Sequence, residues 1–337
     1  MKIGKFDLNE RVLIVAEIGN NHEGHLIHAQ DLIVEAAEAG VDAVKFQTYK
    51  TELFVRPSDR ARFDRLKAFE FGEGDFEMLK ETAVNNGVMF LSTPLDLESA
   101  RFLNSLAPAF KIASGDNNFY PLLETVARTG KPIILSGGLS DIEQLATSKA
   151  LIEDRWREQG IEQEVAVLHC VTSYPTPDNE ANLGAISQLK RALGCTVGYS
   201  DHTLGIEAAV LSVALGARII EKHFTLDKEY SDFRDHQLSA DPDEMAQLVQ
   251  RVRHAQEMIG SGEKVLQRCE RDFAVTARRS IVARRDLEEG VVIIWDDITW
   301  MRPADGLPPG METRIVGRTL LRPVRTGEAI TLDMVRD

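Results

Sequence analysis

Two lysines, Lys45 and Lys111, sit inside short apolar runs, Ala43 to Gln47 and Ala109 to Ala113. An ammonium there either faces a polar site or costs desolvation free energy. Three hydroxyls, Thr93, Ser114 and Ser136, stand at the ends of runs of the same kind. Together these groups make an oxyanion site for phosphate or carboxylate with charge-assisted bonds; the competing role for each lysine is a structural pair with a buried acid. His202 and His223 end two consecutive runs, and imidazoles at one height suit a divalent metal or proton transfer. Two histidines do not complete a metal shell, so water and substrate oxygens would fill it and the ion would act as a Lewis acid. Glu17, a carboxylate in an apolar first run, is set for a raised pKa and acid/base work. Glu221 has the parity of His223 and either orients it, holds a water or closes a buried ion pair. Asn20, Asn21 and His22 read best as caps of the next helix. Tyr174, before Pro175, either meets a sugar or shapes a turn. Asp235, in a long loop, is either a substrate contact or a solvated acid.

The elements that must position these residues repeat. Short apolar runs ending in polar residues or glycine occur at Val12 to Ile18, Ala43 to Gln47, Val88 to Ser92, Ala109 to Ala113, Pro132 to Ser136, Val165 to Cys170, Thr196 to Tyr199 and Arg218 to Phe224. Segments of helical periodicity lie between them, such as Ile27 to Glu38, Asp75 to Asn85 and Ile206 to Leu215, and a last one spans Pro242 to Ile259. Eight strand-helix units predict an α/β chain folded as a (β/α)8 TIM barrel over residues 1–260, with its chemistry at the C-terminal strand ends. An open doubly wound sheet is the competing architecture, but no GxGxxG follows the first strand.

Residues 261–279 are polar and charged and read as a linker with some helix; residues 280–337 read as a small β-rich domain. Within it, Arg285 to Ile298 echoes Arg322 to Val335 at one offset, aligning Gly290 with Gly327, Ile293 with Ile330 and Asp296 with Asp333. That echo predicts two similar β-loop units packed pseudo-symmetrically.

A net charge of −14 disfavours nucleic acid and anionic membranes as partners, while leaving room for a local cationic pocket. The three cysteines, Cys170, Cys195 and Cys269, form no CxxC pair and read as reduced thiols. The first apolar run is broken by Glu17 and lacks a cleavage-like region, and no run approaches the roughly 20 apolar residues of a membrane span. A cytoplasmic location is expected.

With these residues assembled, the chain resembles the sialic acid synthase family, enzymes that condense phosphoenolpyruvate with N-acetylmannosamine or a related sugar. The motifs that carry the resemblance are AEIGNNHEG, VKFQTYK, FLSTPLD, FKIASGD, ILSGG, LHCVTSYPTP, GYSDHTLG and EKHFTLDK, in order over residues 16–228; ITWMRPADGLPP resembles the family's antifreeze-like (SAF, β-clip) domain. The resemblance implies that Glu17 is the catalytic carboxylate and that Lys45, Thr93, Lys111, Ser114, Ser136, Thr172 and Ser200 line a phosphoenolpyruvate pocket. It implies that His202 and His223 bind a catalytic manganese or magnesium ion, and that Gln47, Tyr174 and Asp235 contact the acceptor sugar. It also implies a domain-swapped homodimer, in which Arg302 of one subunit reaches the partner's barrel and touches the N-acyl group. The implied product is a nonulosonic acid, formed with C–O cleavage and release of phosphate.

The chain departs from the family pattern at Phe233-Arg234 before Asp235-His236, at Thr172 where bacterial members often carry asparagine, and at Ala304 after Arg302-Pro303. These departures touch the acceptor more than the reaction, and Arg234 is expected to select an acceptor with an extra anionic or differently acylated group. Two other readings compete: an aldolase working through a lysine Schiff base, and a carbohydrate- or ice-binding protein whose C-terminal domain does the work. A pure binder has no use for paired lysines and histidines at a barrel mouth.

Overall fold

The computed structural model describes residues 1–337, which divide into two units, Met1–Gly260 and Ser261–Asp337. The first unit opens with an antiparallel hairpin, β1 (Lys2–Ile3) and β2 (Phe6–Asp7). Parallel strands follow: β3 (Leu13–Gly19), β4 (Ala43–Thr48), β5 (Met89–Pro94), β6 (Phe110–Ile112), β7 (Ile133–Ser136), β8 (Val165–Cys170), β9 (Thr196–Asp201) and β10 (Ile219–His223). These 8 strands hydrogen-bond in the order β5-β4-β3-β10-β9-β8-β7-β6, and β5 packs beside β6, so the sheet curls into a near-closed barrel. Each strand expected from the sequence is present, with ends displaced by a residue or two.

The two-residue period of a strand sorts its side chains between two environments. On β3, Ile14, Ala16 and Ile18 join the core between sheet and helices. Leu13 and Val15, of the other parity, join an inner cluster with Ala43, Leu91, Ala109, Ile134, Ala166, Leu168 and Ile219. Met1, Ile3 and Leu8 belong to the same cluster, so the N-terminal hairpin plugs the barrel floor. One or two steps further along the inward parity, the residues turn polar: Glu17, Lys45, Thr93, Lys111, Ser136, Cys170, Ser200 and Glu221, every one buried. A dry floor beneath a polar layer at the C-terminal strand ends is the arrangement that positions a barrel enzyme's site.

The surrounding helices include Leu26–Glu38, Glu73–Asn85, Glu207–Ala214 and Pro242–Ile259. Two more, Thr51–Phe54 and Arg60–Phe69, are inserted between β4 and Glu73–Asn85. The second of these buries only Leu66, so it carries no apolar stripe that periodicity could reveal. No helix is long and apolar enough to cross a membrane.

The second unit contains a short helix, Arg271–Ala277, inside the stretch read as a linker. Its strands pair as β11 (Ser280–Ala283) with β12 (Ile298–Met301) and β13 (Thr319–Leu320) with β14 (Val335–Arg336). The sequence echo is a local two-fold relation. Gly290 N donates to Leu320 O at 2.9 Å, and the image bond runs from Gly327 N to Ala283 O at 2.8 Å. Leu287 and Val324, themselves equivalent in the echo, exchange both backbone bonds at 2.9 Å. Gly290 and Gly327 share a left-handed backbone, φ +83° and +81°, which explains glycine at both turns. Ile281, Ile293, Leu320 and Ile330 form the common core.

Candidate active site

Strand register brings the charged residues together. Glu17 is the β-partner of Lys45 on one side and of His223 on the other, and Glu221 is the partner of Ser200. Lys45 Nζ lies 2.6 Å from Glu17 Oε2 and 3.6 Å from Glu221 Oε2, and donates to Thr93 Oγ1 at 3.1 Å. Lys111 Nζ donates to Ser136 Oγ at 2.7 Å and lies 3.5 Å from Glu221 Oε1, which also accepts from Ser200 Oγ at 2.9 Å. The two lysines therefore share one acid, Glu221, while only Lys45 of the two pairs with Glu17. The lysines thus form the buried ion pairs that are one of the two alternatives, at the strand ends where the other would place them.

The two carboxylates are shifted in opposite directions. Burial pushes Glu17's carboxyl above its ordinary value, outweighing the pull of Lys45. Burial acts on Glu221 too, but the combined fields of Lys111 and Lys45 hold it down at about 2. Environments that drive two acids apart separate a proton carrier from a permanent anion. Burial also lowers Lys111, whereas Glu17 and Glu221 overcome burial at Lys45 and raise it. With a proton on Glu17, two ammonium groups face a single carboxylate, leaving a net positive layer.

The histidines stand beside this layer, their ring centroids 5.3 Å apart. His202 Nδ1 is 2.9 Å from Val171 O, a partner that can only accept, so Nδ1 carries the hydrogen and Nε2 presents its lone pair in the neutral ring. Burial, with the charge of Lys45, lowers His223 well below its ordinary value and keeps it neutral. Its Nδ1 is buried without a hydrogen bond. No group of three or more His, Cys, Asp or Glu side chains is set to hold a metal ion. These two imidazoles fit an open site with a minority share of the ligands, not a closed structural one.

A lobe of hydroxyls completes the floor of the site. Gly138 N donates to Ser114 Oγ at 3.2 Å, and a Cβ on Gly138 would collide with Ser114 Oγ and Thr172 Oγ1. Thr172 Oγ1 is buried and makes no hydrogen bond. An unpaired hydroxyl beside a residue that must lack a side chain suits the approach of a ligand oxygen.

On β4, Gln47 donates to Glu17 Oε1 at 3.4 Å and accepts from Asn20 Nδ2 at 3.0 Å. Tyr174 packs its ring 4.3 Å from that of His202. Asp235 lies on a one-turn helix, Arg234–Leu238, only 8% exposed, and its Oδ1 has no hydrogen bond. It is not a solvated loop acid. The capping roles expected of Asn20, Asn21 and His22 are corrected: His25 begins the helix without a side-chain cap. Asn21 Nδ2 instead donates to Phe224 O and Ser239 Oγ at 2.8 and 3.0 Å, and His22 stacks on Phe71 at 4.1 Å. Their backbone already forms turns, with Asn21 N and Glu23 N donating to Ile18 O and Asn20 O, which leaves these side chains free for tertiary contacts.

The NeuB family pattern matches residues 32–264, and the SAF domain pattern matches residues 278–336. The chain belongs to the NeuB family. An uncharacterized protein of Methanocaldococcus jannaschii is 47% identical over 317 residues, covering 94% of this chain and 91% of that protein. The N,N'-diacetyllegionaminic acid synthase of Legionella pneumophila is 37% identical, covering 94% and 92%. The crystal structure of N-acetylneuraminic acid synthetase from Leptospira borgpetersenii, in complex with citrate, is 36% identical with a TM-score of 0.76, covering 81% of this chain and 94% of that one. NeuB membership makes this chain a synthase of the sialic-acid type.

Within this NeuB chain, three groups escape residue-type reasoning. Cys170 Sγ lies 3.7 Å from His202 Nδ1; its inward parity on β8 was the only available signal. Asn117 Nδ2 ties down the loop after β7 through Ser136 O at 3.2 Å and Gly138 O at 2.9 Å. Lys222 and Asp201, of outward parity on β10 and β9, form a buried pair at 3.1 Å behind the barrel wall. Arg302 is exposed in the second unit, just past β12, while every other residue of the expected site lies in the first.

Proposed function

We propose that this chain condenses phosphoenolpyruvate with an N-acyl hexosamine, N-acetylmannosamine or a relative, to give a nonulosonic acid and phosphate. The observation that carries this reading is the buried layer in which Lys45 and Lys111 share Glu221 while Lys45 also pairs with Glu17. A small dianion or trianion finds there two ammonium groups and, at their edge, the hydroxyls of Thr93, Ser114, Ser136 and Thr172. In the reaction, the enol carbon of phosphoenolpyruvate bonds to the acceptor's aldehyde carbon. Water adds to the adjacent carbon, and the bond from that carbon to the phosphate oxygen breaks. Lys45 and Lys111 stabilise the charge that develops on the departing phosphate, and Glu17, beside Lys45, supplies a proton to the new alkoxide or accepts one from the water.

His202 and His223 would hold a divalent cation, manganese or magnesium, which when bound supplies Lewis acidity toward the acceptor's carbonyl oxygen. Val171 O fixes the His202 ring so that Nε2 points away from the wall. Tyr174, Gln47 and Asp235 border the volume left for the sugar. We also propose a homodimer in which Arg302 of one subunit contacts the N-acyl group in its partner's barrel.

A Schiff-base aldolase is the second reading, favoured by the burial of the Lys111 amine on β6, which lowers its pKa toward that of a nucleophilic amine. The experiment incubates purified protein with phosphoenolpyruvate, manganese and a panel of N-acyl and diacetamido hexosamines, following phosphate and product mass. Phosphate release with one nonulosonic acid per turnover supports the synthase. Borohydride trapping of a lysine adduct, in the presence of a chelator and without phosphate release, supports the aldolase.

A further inference from the structure

Two guanidinium groups at the barrel mouth lie outside the chemistry just described. The inserted helix Arg60–Phe69 is pinned to the loop after β10 by an edge-on contact of Phe69 with Phe233, 5.5 Å between centroids. That contact brings Arg65 over the Phe233 ring at 5.9 Å. Its helix neighbours Arg60 and Lys67 are paired with Asp64, Glu52 and Glu70, but Arg65 makes no ion pair. Arg234, the next residue after Phe233, sits over the Tyr174 ring at 4.6 Å, and Tyr174 in turn packs on His202. Its only carboxylate neighbour is Asp235, Nε to Oδ1 at 3.4 Å, and its side chain is 68% exposed. Both guanidinium groups act electrostatically on the Asp235 carboxyl, which places them at one locality.

We infer that Arg65 and Arg234, set about Phe233, form a second cationic subsite that selects an acceptor carrying an anionic group far from its aldehyde. This deepens the proposed condensation and rests on it. The aldehyde end belongs at His202 and His223, and Arg234 stands two stacking contacts away through Tyr174, a separation suited to a six-carbon chain. The shared ligand chemistry is an oxyanion on the sugar, either a phosphate ester on its terminal carbon or a carboxylate on its N-acyl group. An arginine fork matches either one.

The test compares N-acetylmannosamine, its 6-phosphate and N-succinylmannosamine as acceptors for wild type, Arg65→Ala, Arg234→Ala and Arg234→Lys. Calorimetric titration of the two anionic sugars in the absence of phosphoenolpyruvate runs beside it. Wild type is expected to favour one anionic acceptor over the neutral sugar, and each alanine variant to lower that kcat/KM ratio by about tenfold, the worth of one charge-assisted bond. Arg234→Lys should restore part of the ratio. Whether the 6-phosphate or the N-succinyl sugar shows the effect identifies the anion. An unchanged ratio in both alanine variants overturns the inference and leaves the condensation intact. If no acceptor releases phosphate, the condensation fails and calorimetry decides the subsite: heat lost in the alanine variants supports it, and no heat with wild type overturns it.

Discussion

Glu17 and Lys45 face each other across neighbouring strands with 2.6 Å between Oε2 and Nζ, each side chain only 4% exposed. A buried pair of this kind is strongly destabilised when one partner alone is removed. Lys45→Met, which leaves Glu17 without its cationic partner while Glu221 keeps Lys111, should lower unfolding stability by about 3–5 kcal/mol. Glu17→Gln leaves Lys45 with Glu221 and should cost much less, while reducing kcat by about 10²–10⁴ through loss of the proton carrier. Denaturant unfolding and steady-state kinetics on the same preparations separate the two effects.

Metal dependence follows from the histidine pair. EDTA should abolish phosphate release and added manganese should restore it. His202→Asn should weaken manganese binding, read by electron paramagnetic resonance, and lower kcat by at least about a hundredfold. An unchanged far-ultraviolet circular dichroism spectrum would show the barrel intact. Full turnover in EDTA would remove the metal from the account.

Thr172→Val is nearly isosteric and deletes a hydroxyl that has no partner in the protein. Stability should hold or rise slightly, because no hydrogen bond is lost. If the hydroxyl meets phosphoenolpyruvate, KM for that substrate rises about tenfold. An unchanged KM makes Thr172 a packing residue.

Asp116, in the turn after β6, has its carboxyl pushed from 3.8 up to about 6 by burial. The folded state therefore keeps a proton that the unfolded chain loses. That stabilisation is complete below about pH 3.8 and is lost as pH rises through about 6. Asp116→Asn should flatten this dependence and gain about 1–3 kcal/mol over wild type at pH 7. Melting temperatures of the two proteins between pH 4 and 8 check it; parallel curves would contradict it.

Much of this was legible in residue order because a barrel strand is a short apolar run whose inward parity turns polar at one end. That rule places Glu17, Lys45, Lys111, Glu221, His202 and His223 on one rim from the sequence alone. What stayed hidden depends on three-dimensional neighbours. Glu221 shared between two lysines is a closure property of the barrel, set by strands β4, β6 and β10 that are far apart in sequence. Asn21 reads as a cap in sequence because the same amide chemistry serves a cap or a buried tie to Phe224 and Ser239. The helix bearing Arg65 has almost no buried face to announce it. The second unit's two-fold relation was readable, since Gly290 and Gly327 need the same turn.

The most direct measurement supplies phosphoenolpyruvate carrying ¹⁸O in its bridging position, together with manganese and the best acceptor from the panel, and follows the label by mass spectrometry. The expected result is one phosphate released per nonulosonic acid formed, with the label in the phosphate, because the cationic layer stabilises a leaving phosphate detached at the carbon–oxygen bond. Label left in the organic product, or product formed without phosphate, would contradict the assignment of Lys45, Lys111 and Glu17 to this chemistry.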